Sequence, residues 1–89
     1  MRYKIKKRFS DEVLVEDEAE SFKEFVEKNK GNLSGSNLSD SDLSGSNLSD
    51  SNLSGSNLSG SNLSGSDLSG SNLSYSKIKI SQKDEIIKT

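Results

Sequence analysis

The side chains able to do chemistry in this 89-residue chain are carboxylates, serines and lysines, because it holds no Cys and no His. That removes thiolate and imidazole metal ligands, disulfides, and the usual bases that activate a nucleophile. The carboxylates are densest at Asp11, Glu12, Glu16, Asp17, Glu18 and Glu20. Converging carboxylates do acid–base work or hold hard cations. Neighbours along an extended segment point to opposite faces, so this run reads as a solvated face. The serines have no histidine to deprotonate them, so nucleophilic catalysis has no support. N-x-S sequons begin at Asn32, Asn37, Asn47, Asn52, Asn57, Asn62 and Asn72. They are by-products of a repeat rather than glycosylation sites. The chain is read as a non-enzyme with no cofactor and no metal.

Charge bounds the partners. The formal net charge is −2, which argues against direct nucleic-acid binding. The charge is nonetheless patterned. Arg2, Lys4, Lys6, Lys7 and Arg8 form a basic head, the acidic run follows, and the array beyond holds only Asp40, Asp42, Asp50 and Asp67. No apolar run approaches the roughly 18 residues of a membrane span. Met1 to Arg8 is basic, but no apolar stretch follows as in a secretory signal. A cytoplasmic location away from membranes is expected.

The element that positions these groups is a repeat. From Gly31 the chain reads GNLSG SNLSD SDLSG SNLSD SNLSG SNLSG SNLSG SDLSG SNLSY SKIKI. Leu33, Leu38, Leu43, Leu48, Leu53, Leu58, Leu63, Leu68 and Leu73 fall every fifth residue, and Ile78 takes the next place. A flexible Gly/Ser linker has no reason to keep that spacing. Period five fits neither a helix nor a flat strand. It fits a coil with one bend per repeat, four bends making a square rung in which residue i stacks on i+20. Rungs would then pair at the strand spacing of about 4.8 Å. Every apolar residue in the series points inward, with the Ser two positions earlier beside it. Leu33, Leu53 and Leu73 form one ladder, Leu38, Leu58 and Ile78 the next, and Leu43–Leu63 and Leu48–Leu68 complete the square.

The array closely resembles the pentapeptide repeat family, whose pattern is A(D/N)LXX. The resemblance implies a mainly β fold, a short right-handed quadrilateral β-helix of about 2.5 coils over residues 31–80. The chain departs from the pattern by using Ser where the family prefers Ala. Each inward hydroxyl then needs a partner, at a cost of about 1–3 kcal/mol if it has none. Serine ladders, or carbonyls of the rungs above and below, are the expected acceptors. The near-perfect repetition also fits a designed or recently amplified array.

An open solenoid needs its ends covered. Residues 1–30 are read as an N-terminal cap of a β-hairpin and an α-helix. Tyr3, Ile5 and Phe9 alternate with basic residues, and Val13 and Val15 continue after a Ser10–Glu12 turn. That loop pairs Phe9 with Val13, Lys6 with Glu16 and Lys4 with Glu18. Ser21 is set to cap a helix whose apolar stripe is Phe22, Phe25 and Val26, with Gly31 ending it. Residues 81–89 are the C-terminal tail. Tyr75 and Ile80 replace Gly and Asp near the last rung, and Ile86 and Ile87 follow. Members of the family commonly dimerise through their C-terminal ends. A two-fold homodimer with Tyr75, Ile78, Ile80, Ile86 and Ile87 at the contact is therefore expected. The rival is a monomer whose tail covers the last rung.

Two functions from different classes follow, with a protein partner in either case. The first is a scaffold or protein-interaction module. The alternative comes from the resemblance, because some pentapeptide repeat proteins imitate duplex DNA and block gyrase. An inhibitor of a gyrase or host-defence nuclease would use Asp11, Glu12, Glu16, Asp17, Glu18, Glu20, Asp40, Asp42, Asp50 and Asp67 as its acidic surface. A small Lys- and Ile-rich chain of this kind also looks like a bacteriophage-encoded protein. Ice binding through outward Ser rows is the least supported class.

Overall fold

Alternation of apolar and charged residues at the N-terminus produces a hairpin, β1 (Arg2–Lys6) and β2 (Val13–Glu18), paired antiparallel. The computed structural model describes residues 1–77 and the backbone of Ile87–Lys88. The expectations for Ile78, Ile80 and Ile86, and for the side chain of Ile87, lie outside the described residues.

The hairpin register differs from the expected one by two residues. Lys4 faces Glu16, Ile5 faces Val15, and a bulge brings Lys6 opposite Val13. Phe9 is not on the hairpin face and is 87% exposed. The reason lies in the array. After Lys6 the chain leaves β2 and lies along the first turn of the repeat: Arg8 N–H donates to Gly35 O at 2.7 Å, and Asn37 N–H donates to Lys6 O at 2.8 Å. Satisfying the backbone of the array's first edge outweighs continuing a two-stranded ribbon, since unpaired edge groups are costly when covered.

Helix α1 (Phe22–Lys28) starts at Ser21, whose hydroxyl accepts from Glu24 N–H at 3.2 Å. It ends two residues earlier than Gly31 suggested. Asn29 is the C-cap, with its side-chain amide donating to Phe25 O at 2.9 Å, and a 3-10 turn over Lys30–Asn32 leads into the array. Phe25 and Val26 are fully buried, and Tyr3 stacks on Phe25 with ring centroids 5.6 Å apart. The helix therefore lies over the apolar face of the hairpin and the end of the array at once. Ile5, Ala19, Phe25, Val26 and the leucines form a single core, so the cap and array are not separately packed.

From Leu33 onward the chain turns every five residues. Parallel bridges join Asn37 to Asn57, Asp42 to Asn62, Asn47 to Asp67, Asn52 to Asn72 and Asn57 to Lys77. Each spans twenty residues, the offset that four bends produce. Between successive turns Leu38, Leu43, Leu48, Leu53 and Leu58 N–H donate to the carbonyls of Asn57, Asn62, Asp67, Asn72 and Lys77 at 2.7–2.9 Å. Leu33, Leu38, Leu43, Leu48, Leu53, Leu58, Leu63 and Leu68 are all at most 2% exposed, while Leu73 is partly buried against them. The strand content is thin. Most pairing is by isolated bridges, because a bend every fifth residue leaves too little extended chain between corners. The two-residue exceptions are β3 (Ser66–Asp67) and β4 (Ile87–Lys88), paired in parallel. Their offset is twenty-one, one residue longer than in the array.

Candidate functional site

Four of the five residues in each repeat are engaged in holding the turn. The corner position takes positive φ: Gly35, Gly45, Gly55, Gly60, Gly65 and Gly70 lie between 67° and 73°, and Asp40, Asp50 and Tyr75 lie at 59–60°. That left-handed conformation explains the preference for Gly there, with Asp the tolerated substitute. The Ser after each corner donates its N–H to the carbonyl of the Leu three residues back, closing the turn. Its hydroxyl donates to that same carbonyl at 2.6–2.7 Å at Ser41, Ser46, Ser56, Ser61, Ser66, Ser71 and Ser76. The acceptor is thus within the turn, not in a ladder or a neighbouring rung. Ser36 and Ser51 are the exceptions, buried with no partner for the hydroxyl.

The outward side chains are occupied too. From Asn37 to Asp67 the carboxamide or carboxylate before the Leu accepts from the N–H and hydroxyl of the Ser two residues on, as Asn57 does from Ser59 at 3.0 and 2.7 Å, and Asn72 accepts from the Ser74 N–H. Asp42 accepts from Ser44 in the same way, and this bonding from hydroxyl and N–H holds its carboxyl below the ordinary carboxylate range. The Asn Oδ1 acceptors and the Ser donors of these rows are therefore tied to one another.

The ten acidic residues do not form one surface. Glu16 bonds Arg2 at 2.9 Å, Glu18 meets the terminal amine at 3.4 Å, and Asp17 meets Lys28 at 3.4 Å. Glu12 pairs with Lys7 at 3.4 Å, and Asp11 reaches Lys6 at 4.0 Å. Asp17 is held below the usual carboxylate range, first by the N–H of Glu18 and then by Lys28. Glu20 has no ion pair among the described residues. Asp42 and Asp67 serve their own turns, while Asp40 and Asp50 occupy alternate corners, each leaning on the glycine one turn on, Gly60 and Gly70. Among the described residues no three acidic side chains converge as a metal site requires. No helix of the described residues is long and apolar enough to cross a membrane.

What the structure gathers instead is a cleft at one corner, with about 300 Å³ of space beside Arg8, Phe9, Leu14, Ser34, Gly35 and Gly55. Sequence reasoning placed Arg8 in a charge alternation and Phe9 in a hairpin core, so it missed this site. The one signal was Tyr75, a bulky residue in the Gly35–Gly55 column.

Residues 46–79 match the family model described as Pentapeptide repeats (8 copies). This segment is a pentapeptide-repeat array. No curated protein and no solved structure matches the chain. The match leaves out residues 31–45, although Leu33, Leu38 and Leu43 keep the five-residue spacing and are buried like the rest. Pentapeptide repeats are generally non-enzymatic. In this array the inward Ser replaces the smaller apolar residue and, except at Ser36 and Ser51, its hydroxyl is satisfied within its own turn.

Proposed function

We propose that the chain is a non-catalytic protein-interaction module, a short right-handed quadrilateral β-helix of about 2.5 coils closed by a hairpin–helix cap. The observation that carries this reading is the self-satisfaction of the array. Most of its serines, the Oδ1 acceptors of its asparagines, and Asp42 and Asp67 bond within their own turns, so the repeats build a rigid body and leave its corners and ends to meet a partner. Phe9 at 87% and Tyr75 at 92% exposure are large apolar groups held in water. An acidic imitation of nucleic acid has less support, because the acids of the head other than Glu20 are matched by Arg2, Lys6, Lys7, Lys28 and the terminal amine.

Assembly belongs to the same reading. Backbone pairing of Ile87–Lys88 with Ser66–Asp67 supports a last coil covered by its own tail. That favours the monomer over the two-fold homodimer. Light scattering at micromolar concentration should give the mass of one chain, and a dimer mass lost in Tyr75→Lys would reverse the assignment.

The test of the interaction reading is affinity capture from a bacterial lysate on the immobilised full chain. A defined protein that binds saturably to the folded chain, and not to a Leu58→Asp control, supports it. Turnover of a substrate by the pure chain, abolished by substituting one of its own residues, overturns it.

A further inference from the structure

The corner that carries Gly35, Gly55 and Tyr75 is bridged by one residue, Arg8. Its backbone N–H donates to Gly35 O at 2.7 Å, and its Nη1 donates to Gly55 O at 3.1 Å and Tyr75 O at 3.3 Å. Three successive turns are thus stapled at the same corner. The bonds to carbonyls neutralise no charge, and within the described residues that of Arg8 is uncompensated. Among the described residues no carboxylate pairs with it, and its Nε and Nη2 have no hydrogen-bond partner. The other cation lining the cleft, Lys7, is matched by Glu12 at 3.4 Å.

The apolar side of the corner is more exposed than the half-buried Arg8. Phe9 is 87% exposed, and the Arg8 guanidinium carbon stands 4.8 Å from the centre of its ring. Leu14 and the main chain of Gly35 and Gly55 line the adjoining cleft. Tyr75 takes φ 60°, a conformation that strains a bulky side chain, and its ring is 92% exposed. No contact of the ring within the described residues offsets that strain. Exposed aromatics around an arginine are the composition of energetic centres in protein interfaces.

We propose that this corner is a docking site for a partner-protein segment that carries a carboxylate next to an apolar side chain. The carboxylate takes the free edge of the Arg8 guanidinium, whose fork geometry suits a two-point bond. The apolar side chain enters the cleft between Phe9 and Leu14. Charge complementarity selects this occupant. One uncompensated cation is enough for one carboxylate, whereas a nucleic-acid strand needs a row of them, and Asp11 and Glu12 stand close by in the chain. The proposal rests on the interaction-module reading and names the chemistry of the partner.

The test is a titration of the isotopically labelled full chain, followed by amide NMR, with three probes. They are the blocked peptide Gly-Leu-Glu-Leu-Gly, its Gln counterpart, and a six-nucleotide oligothymidylate. The Glu peptide should give saturable shifts at Arg8, Phe9, Gly35 and Gly55, with the Gln peptide about tenfold weaker. Phe9→Ala, a change at an exposed side chain, should weaken the Glu peptide by a similar factor with the rest of the spectrum unchanged. Arg8→Lys, which keeps the charge and loses the fork, should fall between the parent and Arg8→Gln. Equal binding of the Glu and Gln peptides, no saturable shifts at this corner, or tighter binding of the oligonucleotide overturns the proposal. A captured lysate protein that binds Phe9→Ala and Arg8→Gln as tightly as the parent overturns this site while the module reading stands. Absence of both peptide binding and any captured protein removes the two together.

Discussion

Replacing Ser51 by alanine should stabilise the protein, whereas the same change at Ser56 should not. Both side chains are at most 2% exposed, and both stand at the inward position before Asn and Leu. They differ in one bond. Ser56 Oγ donates to Leu53 O at 2.7 Å, while Ser51 Oγ has no partner. A buried hydroxyl without a partner costs about 1–3 kcal/mol, and a satisfied one contributes a net 0.5–1.5 kcal/mol or so. In Ser56→Ala the Leu53 carbonyl is not orphaned, because Ser56 N–H still donates to it at 3.1 Å. The loss therefore stays near the low end, about 0.5–1 kcal/mol. In a domain of this size 1 kcal/mol moves Tm by about 4–8 °C. Ser51→Ala should then raise Tm by at least about 4 °C, and Ser56→Ala should lower it by a few degrees. Ser36→Ala should follow Ser51→Ala, since Ser36 Oγ is also unpartnered. Thermal melts by circular dichroism, with urea midpoints as a second reading, measure all three. Equal shifts of one sign at positions 36, 51 and 56 would refute the reasoning, because they would mean that all three hydroxyls share one environment.

Leu58 is fully buried and donates its N–H to Lys77 O, so Leu58→Ala should cost about 2–5 kcal/mol and Leu58→Asp should abolish the cooperative melt. Gly60→Asp should destabilise more than Gly55→Asp, since a Cβ there makes the Asp40 carboxylate move and adds a like charge beside it. Gly55→Asp has only ordinary contact with Gly35 at 3.8 Å and should be mild, so reversal of that order in urea midpoints would discard the corner rule. Asp42→Asn should be near neutral at pH 7, because Asn57 and its counterparts hold the same bonds. The lowered pKa of Asp42 means that its contribution is present above the unfolded-state pKa and lost as pH falls through the folded value. The Asn variant should therefore lose less stability than the parent below about pH 4, as followed by Tm against pH.

The five-residue spacing made the core series and the twenty-residue stacking legible, because both depend on residue size alone. The corner preference was visible as Gly or Asp but not as a backbone conformation, since composition does not report the sign of φ. The inward serines were recognised as a problem in need of acceptors. The acceptor, the carbonyl of the Leu three residues back, is a property of the turn geometry that residue spacing does not report. The hairpin failed in register, not in existence. Its alternation fixed which strands pair, but the competing pull of the array's edge on Lys6–Arg8 is long-range and leaves no local trace. For the same reason the cleft at Arg8 and Phe9 was not foreseen: its two halves are joined by contacts between residues up to 67 positions apart.

In this array the inward Leu fills the core, the inward Ser closes the turn, and the outward Asn or Asp is tied to the second Ser. A change at most of these four positions removes an interaction within its own turn, with Ser36 and Ser51 the exceptions. The corner is the position with the least to lose, since it needs only tolerance of positive φ and room beside the corner one turn away. It is also where the sequence departs from Gly, to Asp at Asp40 and Asp50 and to Tyr at Tyr75. A surface that otherwise varies only between Asn and Asp before the Leu acquires most of its specificity at its corners and its ends. The Asp corners each have a glycine in the next turn, at Gly60 and Gly70, so this array does not stack them into a continuous acidic stripe. That spacing limits how far the body can imitate a row of phosphates. The Gly35–Gly55–Tyr75 column has no such carboxylate and keeps its glycine floor beside the cleft, with Arg8 and Phe9 supplied by the cap.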